Sequence, residues 1–176
     1  MDNDIKLLQM YDSANKFKEC ALRVLGNRNE NGSINIIENS RLLTVTIPYV
    51  VNISLTCELY LKMLIFNNEN IVPHTHEIKD LYDRLTAKQK KNLIKMLNIP
   101  QNELEKLLKK YSNLFVQYRY YFDYEELPSV DYLFILNLAE FLNAMCSEIQ
   151  KDIVNNSHAG EQYLKAHKKR IINKNQ

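Results

Sequence analysis

A chain of 176 residues with 45% hydrophobic and 25% charged side chains is long enough to bury one substantial core and too apolar to remain unfolded. Its formal net charge of +2 gives no global case for binding nucleic acid or a membrane. Three glycines and four prolines are too few for a turn-rich sandwich or a Rossmann fold, and they favour long helices.

In chain order, residues 4–25 read as a first helix, with Leu8, Tyr11, Ala14, Phe17 or Lys18, Ala21 and Leu25 on one stripe and Gly26 as its C-terminal cap. The polar stretch 27–39, with its Asn31-Gly32 turn signal, reads as a loop. The β-branched run Leu43–Val51 looks strand-like, but Pro48 is excluded from a central strand and suits a first helical turn. A second helix is therefore placed over 46–67, carrying Ile53, Cys57, Leu61 and Leu64 inward and ending at Asn68–Asn70. Glu58 and Lys62 stand four apart on it in the favourable order, worth a few tenths of a kcal/mol if exposed.

Pro73 then breaks the chain. Thr75 is a candidate cap for a short helix bearing Ile78, Leu81, Tyr82 and Leu85, and Thr86 with Gln89 forms a capping box for another running to Leu97. Pro100 opens a long helix predicted to end near residues 124–127. Its stripe is Leu104, Leu108, Tyr111, Phe115, Tyr118 and Phe122, widened by Leu107, Leu114 and Tyr121. Ser129 is a fair cap for the last long helix, over 130–156, with Tyr132, Leu136, Ala139, Leu142 or Asn143, Cys146, Ile149 and Ile153 on its stripe. Residues 157–176 form a basic tail (Lys165, His167, Lys168, Lys169, Arg170) with too few apolar positions for a firm amphipathic helix. The expected architecture is all-α: an up-and-down antiparallel bundle of four long helices plus one or two short ones, spanning 1–156 as one domain.

Cys20, Cys57 and Cys146 are widely spaced, odd in number and free of any CxxC pair, as expected of buried reduced thiols in a cytoplasmic protein. The start of the chain lacks the basic and apolar regions of a signal peptide. No apolar run approaches membrane-crossing length; the richest, 42–66, is interrupted by Pro48, Asn52, Glu58 and Lys62 and reads as a core helix.

Few residues suggest chemistry. His74 and His76, two apart, cannot share a helical face and complete no metal signature with Glu77 or Asp80, so no metal or cofactor is expected. Asp123, Glu125, Glu126 and Asp131 make an acidic corner, which reads as a solvated helix end with an ion pair to Arg119. Arg119 itself sits on the flank of the long stripe, among tyrosines. It either pairs with those carboxylates and stacks on a ring, or it offers its guanidinium to a cleft. The lysines at 88, 90, 91, 95, 106, 109 and 110 are scattered surface charges unless they converge on phosphates.

Taken together, three segments resemble one family. Asn52-Ile-Ser-Leu-Thr-Cys-Glu58-Leu-Tyr-Leu-Lys62 is similar to the second helix of HEPN domains, the higher-eukaryote and prokaryote nucleotide-binding family. His74-Thr-His76-Glu-Ile-Lys-Asp80-Leu-Tyr82 resembles the segment that follows it, and Phe115-Val-Gln-Tyr-Arg119-Tyr-Tyr-Phe-Asp-Tyr-Glu125 resembles the family's late arginine-bearing helix. The likeness covers residues 46–126. It implies a helical bundle that often forms a homodimer, with the arginine helices meeting at a shared cleft. It further implies RNA or nucleotide binding, metal-independent endoribonuclease activity in many members, and an association in others with a nucleotidyltransferase of bacterial toxin–antitoxin or antiviral defence systems. The residues it marks for RNA or nucleotide binding are Arg119, Tyr120, Glu125, Asn52, Glu58, Lys62 and His76. Catalytic members carry an arginine, four to six intervening residues and then a histidine; counted from Arg119, this chain has Tyr124, Glu125 and Glu126 there, so no catalytic residue is assigned. The alternative is a non-catalytic protein-interaction module partnering a nucleotidyltransferase.

Overall fold

The computed structural model describes the backbone of residues 2–24 and 39–174, and the side chains of 2–24 and 46–166. It is all-helical, with no strand among the described residues. The elements are α1 (Asn3–Val24), α2 (Asn39–Glu69), α3 (Ile78–Asp83), α4 (Ala87–Leu97), α5 (Gln101–Lys110), α6 (Leu114–Arg119), a 3-10 turn over Tyr121–Asp123, α7 (Tyr132–Asn156) and α8 (His158–Lys174).

The apolar run around Cys57 becomes the centre of the protein. From Tyr60 to Phe66 every residue of α2 is buried, because α1, α3, α6 and α7 all pack against this helix. Side chains such as Ile53, Leu61, Leu64 and Ile65 are almost wholly inaccessible, and each contributes about 1.5–3 kcal/mol by leaving water. The helix ends as its sequence suggests: Asn70 takes the left-handed conformation at φ 56°, and its amide donates to the Phe66 carbonyl. It begins earlier than expected, at Asn39, so Pro48 lies inside the helix rather than in its first turn. Proline removes one helical hydrogen bond, yet burial of Tyr49, Val50 and Ile53 just beyond it outweighs that loss.

In α1, Leu7, Leu8, Ala14 and Ala21 face the core, while Phe17 stays 37% exposed. Lys18 takes the inward side instead and pairs with Glu140 of α7 at 3.0 Å. The Gly26 cap, Leu25 and the loop 27–38 lie outside the described residues. The Thr86–Gln89 capping box is present in both directions, and α4 ends on Asn98 in the left-handed region. The N-cap of α7 is Asp131, whose carboxylate accepts from the Phe134 amide; Ser129 does not cap. The buried face of α7 carries Phe134, Ile135, Leu138, Ala139, Leu142, Cys146 and Ile153, so the expected stripe is correct in its second half and rotated at its start.

Two expectations need larger corrections. The single helix read over 100–126 is three pieces, α5, α6 and the 3-10 turn, separated by a turn at residues 111–113. Its inward stripe survives the break through Tyr118 and then fails, since Phe122 is 72% exposed. The segment after Ser157 is helical through Lys174 and packs on α7 and α1, anchored by buried Ala159 and Gly160 and by Tyr163 donating to Asp12 at 2.6 Å.

Cys57 and Cys146 are buried free thiols, whereas Cys20 is exposed, against expectation, because it lies on the outer face of α1. Thr46–Glu69 and Tyr132–Asn156 are both long and apolar enough to cross a bilayer, which corrects the estimate made from the uninterrupted run alone; the first is 78% buried inside the protein and the second 33%.

Candidate functional site

Glu58 and Lys62 lie one turn apart on α2, the two charged residues of the otherwise apolar run Cys57–Phe66. The Lys62 Nζ donates to Glu58 Oε1 at 2.8 Å, and both side chains are nearly inaccessible. The pair is therefore not exposed, and the two charges are desolvated together. The same Oε1 stands 2.9 Å from Nδ1 of His76, which arrives from the extended segment before α3. That contact favours a proton on Nδ1 and leaves Nε2 of the half-exposed ring directed elsewhere. Glu58 Oε2 is buried without a hydrogen-bond partner.

A serine holds the His76 segment in place. Ser112, in the turn between α5 and α6, accepts from the Ile78 amide through its carbonyl at 3.0 Å and from the Lys79 amide through Oγ at 3.2 Å. These are the free amides of the first turn of α3, so the expected Thr75 cap is replaced; Thr75 Oγ1 accepts from the Glu77 amide instead. The clasp brings α6 alongside His76, whose ring centroid lies 5.9 Å from that of Phe115.

Phe115 in turn carries Arg119, one turn further along α6, with the guanidinium carbon 5.6 Å from the ring centroid and 5.3 Å from that of Tyr120. Among the described residues Arg119 makes no ion pair. The expected partners Asp123, Glu125 and Glu126 are exposed beyond the end of α6 and leave it alone. Its stacking on a tyrosine is as anticipated; its donors remain available.

The three resemblance segments thus converge: Lys62, Glu58, His76, Phe115, Arg119 and Tyr120 form a continuous chain of contacts. Asn52 does not join them, because its amide donates back to the Pro48 carbonyl at 2.6 Å. Glu125 does not join them either, lying on an exposed bend. Phe115 links the site's two halves and was read only as a core residue; its spacing of four from Arg119 was the available signal. Among the described residues no group of three or more histidine, cysteine or acidic side chains could hold a metal ion. A groove of about 490 Å³ between α2, α4 and α7, lined by Leu64, Asn67, Met96 and Met145 among others, contains none of these residues.

Chemically, the surface offers an arginine with unused donors, an accessible imidazole and a set of aromatic rings. A planar guanidinium matches two phosphate oxygens, and an imidazole held by a buried carboxylate can donate to or accept from a bound group. No family model, curated protein or solved structure matches the chain.

Proposed function

We propose that this chain is a HEPN-like helical protein that binds RNA or a nucleotide through the surface formed by Arg119, Tyr120 and His76. The observation that carries the reading is convergence: three segments spread over residues 58–119 meet through Glu58, His76, Phe115 and Arg119. An arginine stabilised by rings, not by carboxylates, keeps its donors free for a phosphate. Packing of the long helices α1 and α7, with the short α6, around α2 supports an up-and-down bundle as the architecture. In this reading the protein acts in the cytoplasm as a homodimer, in a bacterial defence or toxin–antitoxin module.

The reading is tested by Arg119→Ala. Loss of a charged hydrogen bond to phosphate is worth about 1.5–3 kcal/mol, so binding to a fluorescent RNA panel is expected to weaken roughly ten- to a hundredfold. Equal binding by variant and parent in anisotropy titrations would sink it.

A second reading is a non-catalytic interaction module partnering a nucleotidyltransferase. It is favoured by the absence of an imidazole at Tyr124, Glu125 and Glu126, all exposed beyond α6. Cleavage of RNA by the pure protein, abolished in Arg119→Ala, would rule this out.

A further inference from the structure

Residues 120–124 place four aromatic rings in five positions, and the fold buries none of them. Tyr120 is 40% exposed, Tyr121 49%, Phe122 72% and Tyr124 39%. The backbone is the cause: α6 stops at Arg119 and the 3-10 turn swings the following rings away from the core stripe. Phe122 meets Tyr120 and Tyr121 edge to face, with centroids at 6.3 and 5.9 Å and interplanar angles of 84° and 76°. Each such pair engages the edge of one ring and one face of the other, and Arg119 lies over Tyr120, so Phe122 is the ring with most of its surface open.

We propose that this cluster is a stacking platform for unpaired bases, with Arg119 beside it taking the adjoining phosphate. The inference rests on the reading of the site as RNA-binding and specifies what kind of RNA it takes. Bases within a duplex are stacked on one another and offer no free face, whereas unpaired bases stack on exposed aromatic side chains. Charge points the same way. Asp123, Glu125 and Glu126 follow the platform immediately. They repel the dense double row of phosphates on a duplex more than the single row of a short strand. Arg119, held against Phe115 and Tyr120, supplies the compensating cation at the platform's edge.

The test uses the protein's lack of tryptophan. Phe122→Trp introduces a single indole at the most exposed ring. Its fluorescence is expected to be quenched by single-stranded polyuridine or polyadenosine, and not by a duplex RNA at the same nucleotide concentration. Phe122→Ala is expected to weaken single-strand binding about tenfold. If the parent protein binds single strands while Phe122→Trp shows no quenching and Phe122→Ala binds equally, the platform is overturned and the RNA-binding reading stands. If the parent binds no RNA, both fall together. If Phe122→Ala instead halves the mass seen by light scattering with RNA affinity unchanged, the cluster is a contact between copies of this chain and the platform is likewise overturned.

Discussion

Lys62 brings a positive charge into the most enclosed part of α2, and Glu58 is the group that makes this tolerable. Their side chains are 10% and 3% exposed. Two charges taken out of water together cost desolvation that their attraction roughly offsets, but without Lys62 the buried Glu58 carboxylate keeps only the half-exposed His76 as a partner. Lys62→Met is therefore expected to destabilise the fold by about 3–5 kcal/mol, and the double variant Glu58→Leu, Lys62→Met by much less than the two single changes added. Urea unfolding of the four proteins measures this; additive losses would show that the pair is not buried as a unit. At this scale the sequence was half legible. The spacing of four announced the pair, but only the wrapping of α2 by its neighbours reveals that it is desolvated, and the distant His76 that shares its carboxylate leaves no local signal.

Periodicity located most of the helices and misjudged where they stop. The stripe over 104–118 runs unbroken across two helices, because the turn at 111–113 keeps the same side of the chain inward, with Tyr111 and Leu114 both buried. A pattern of apolar spacing cannot register such a break. It also cannot detect α8, which is held less by apolar bulk than by close approach at Gly160. A methyl group there would fall on the Ile153 carbonyl oxygen and 2.5 Å from Val154 Cα. Alanine would favour the helix by up to about 1 kcal/mol in isolation. Here the clash is with backbone that cannot swing aside, so Gly160→Ala is expected to cost about 1–3 kcal/mol. A lowered melting temperature checks this; an unchanged or raised one would mean α8 does not sit this close to α7.

For the molecule as a whole, the wealth of enclosed phenols sets an alkaline limit. Burial raises the pKa of Tyr49, with nearby Cys57 and Tyr132 adding to it, and burial likewise raises Tyr60. Burial also pushes up the thiols of Cys57 and Cys146. In each case the folded protein keeps a proton that the unfolded chain releases near pH 10 for tyrosine and about 8.5 for cysteine. The stability these groups contribute is thus complete below those values and declines as pH rises from there toward the folded pKa. The full tyrosinate absorbance of all 11 tyrosines should develop only as helical circular dichroism is lost. Complete ionisation with the helices intact would contradict the enclosure of Tyr49 and Tyr60. The all-helical class was readable from the scarcity of glycine and proline, since few turns can be built without them. Three of the four helices expected to be long, α1, α2 and α7, are long; the early start of α2 and the length of α8 were not readable, because Pro48 and the small residues at the start of α8 act only through their tertiary neighbours.

The hydrogen bonds of Ser112 give the middle of the chain a modular character. They join Ser112 to residues 33 to 35 positions earlier, so α3, α4 and α5 leave this point and come back to it. Lengthening a closed excursion adds little entropy, about 0.6 kcal/mol for each doubling. Insertions or deletions at the turn between Asn98 and Pro100 would then alter the excursion's reach while His76 and Arg119 stay in register. Descendants of such a chain would be free to vary their outer helices and still keep a common surface.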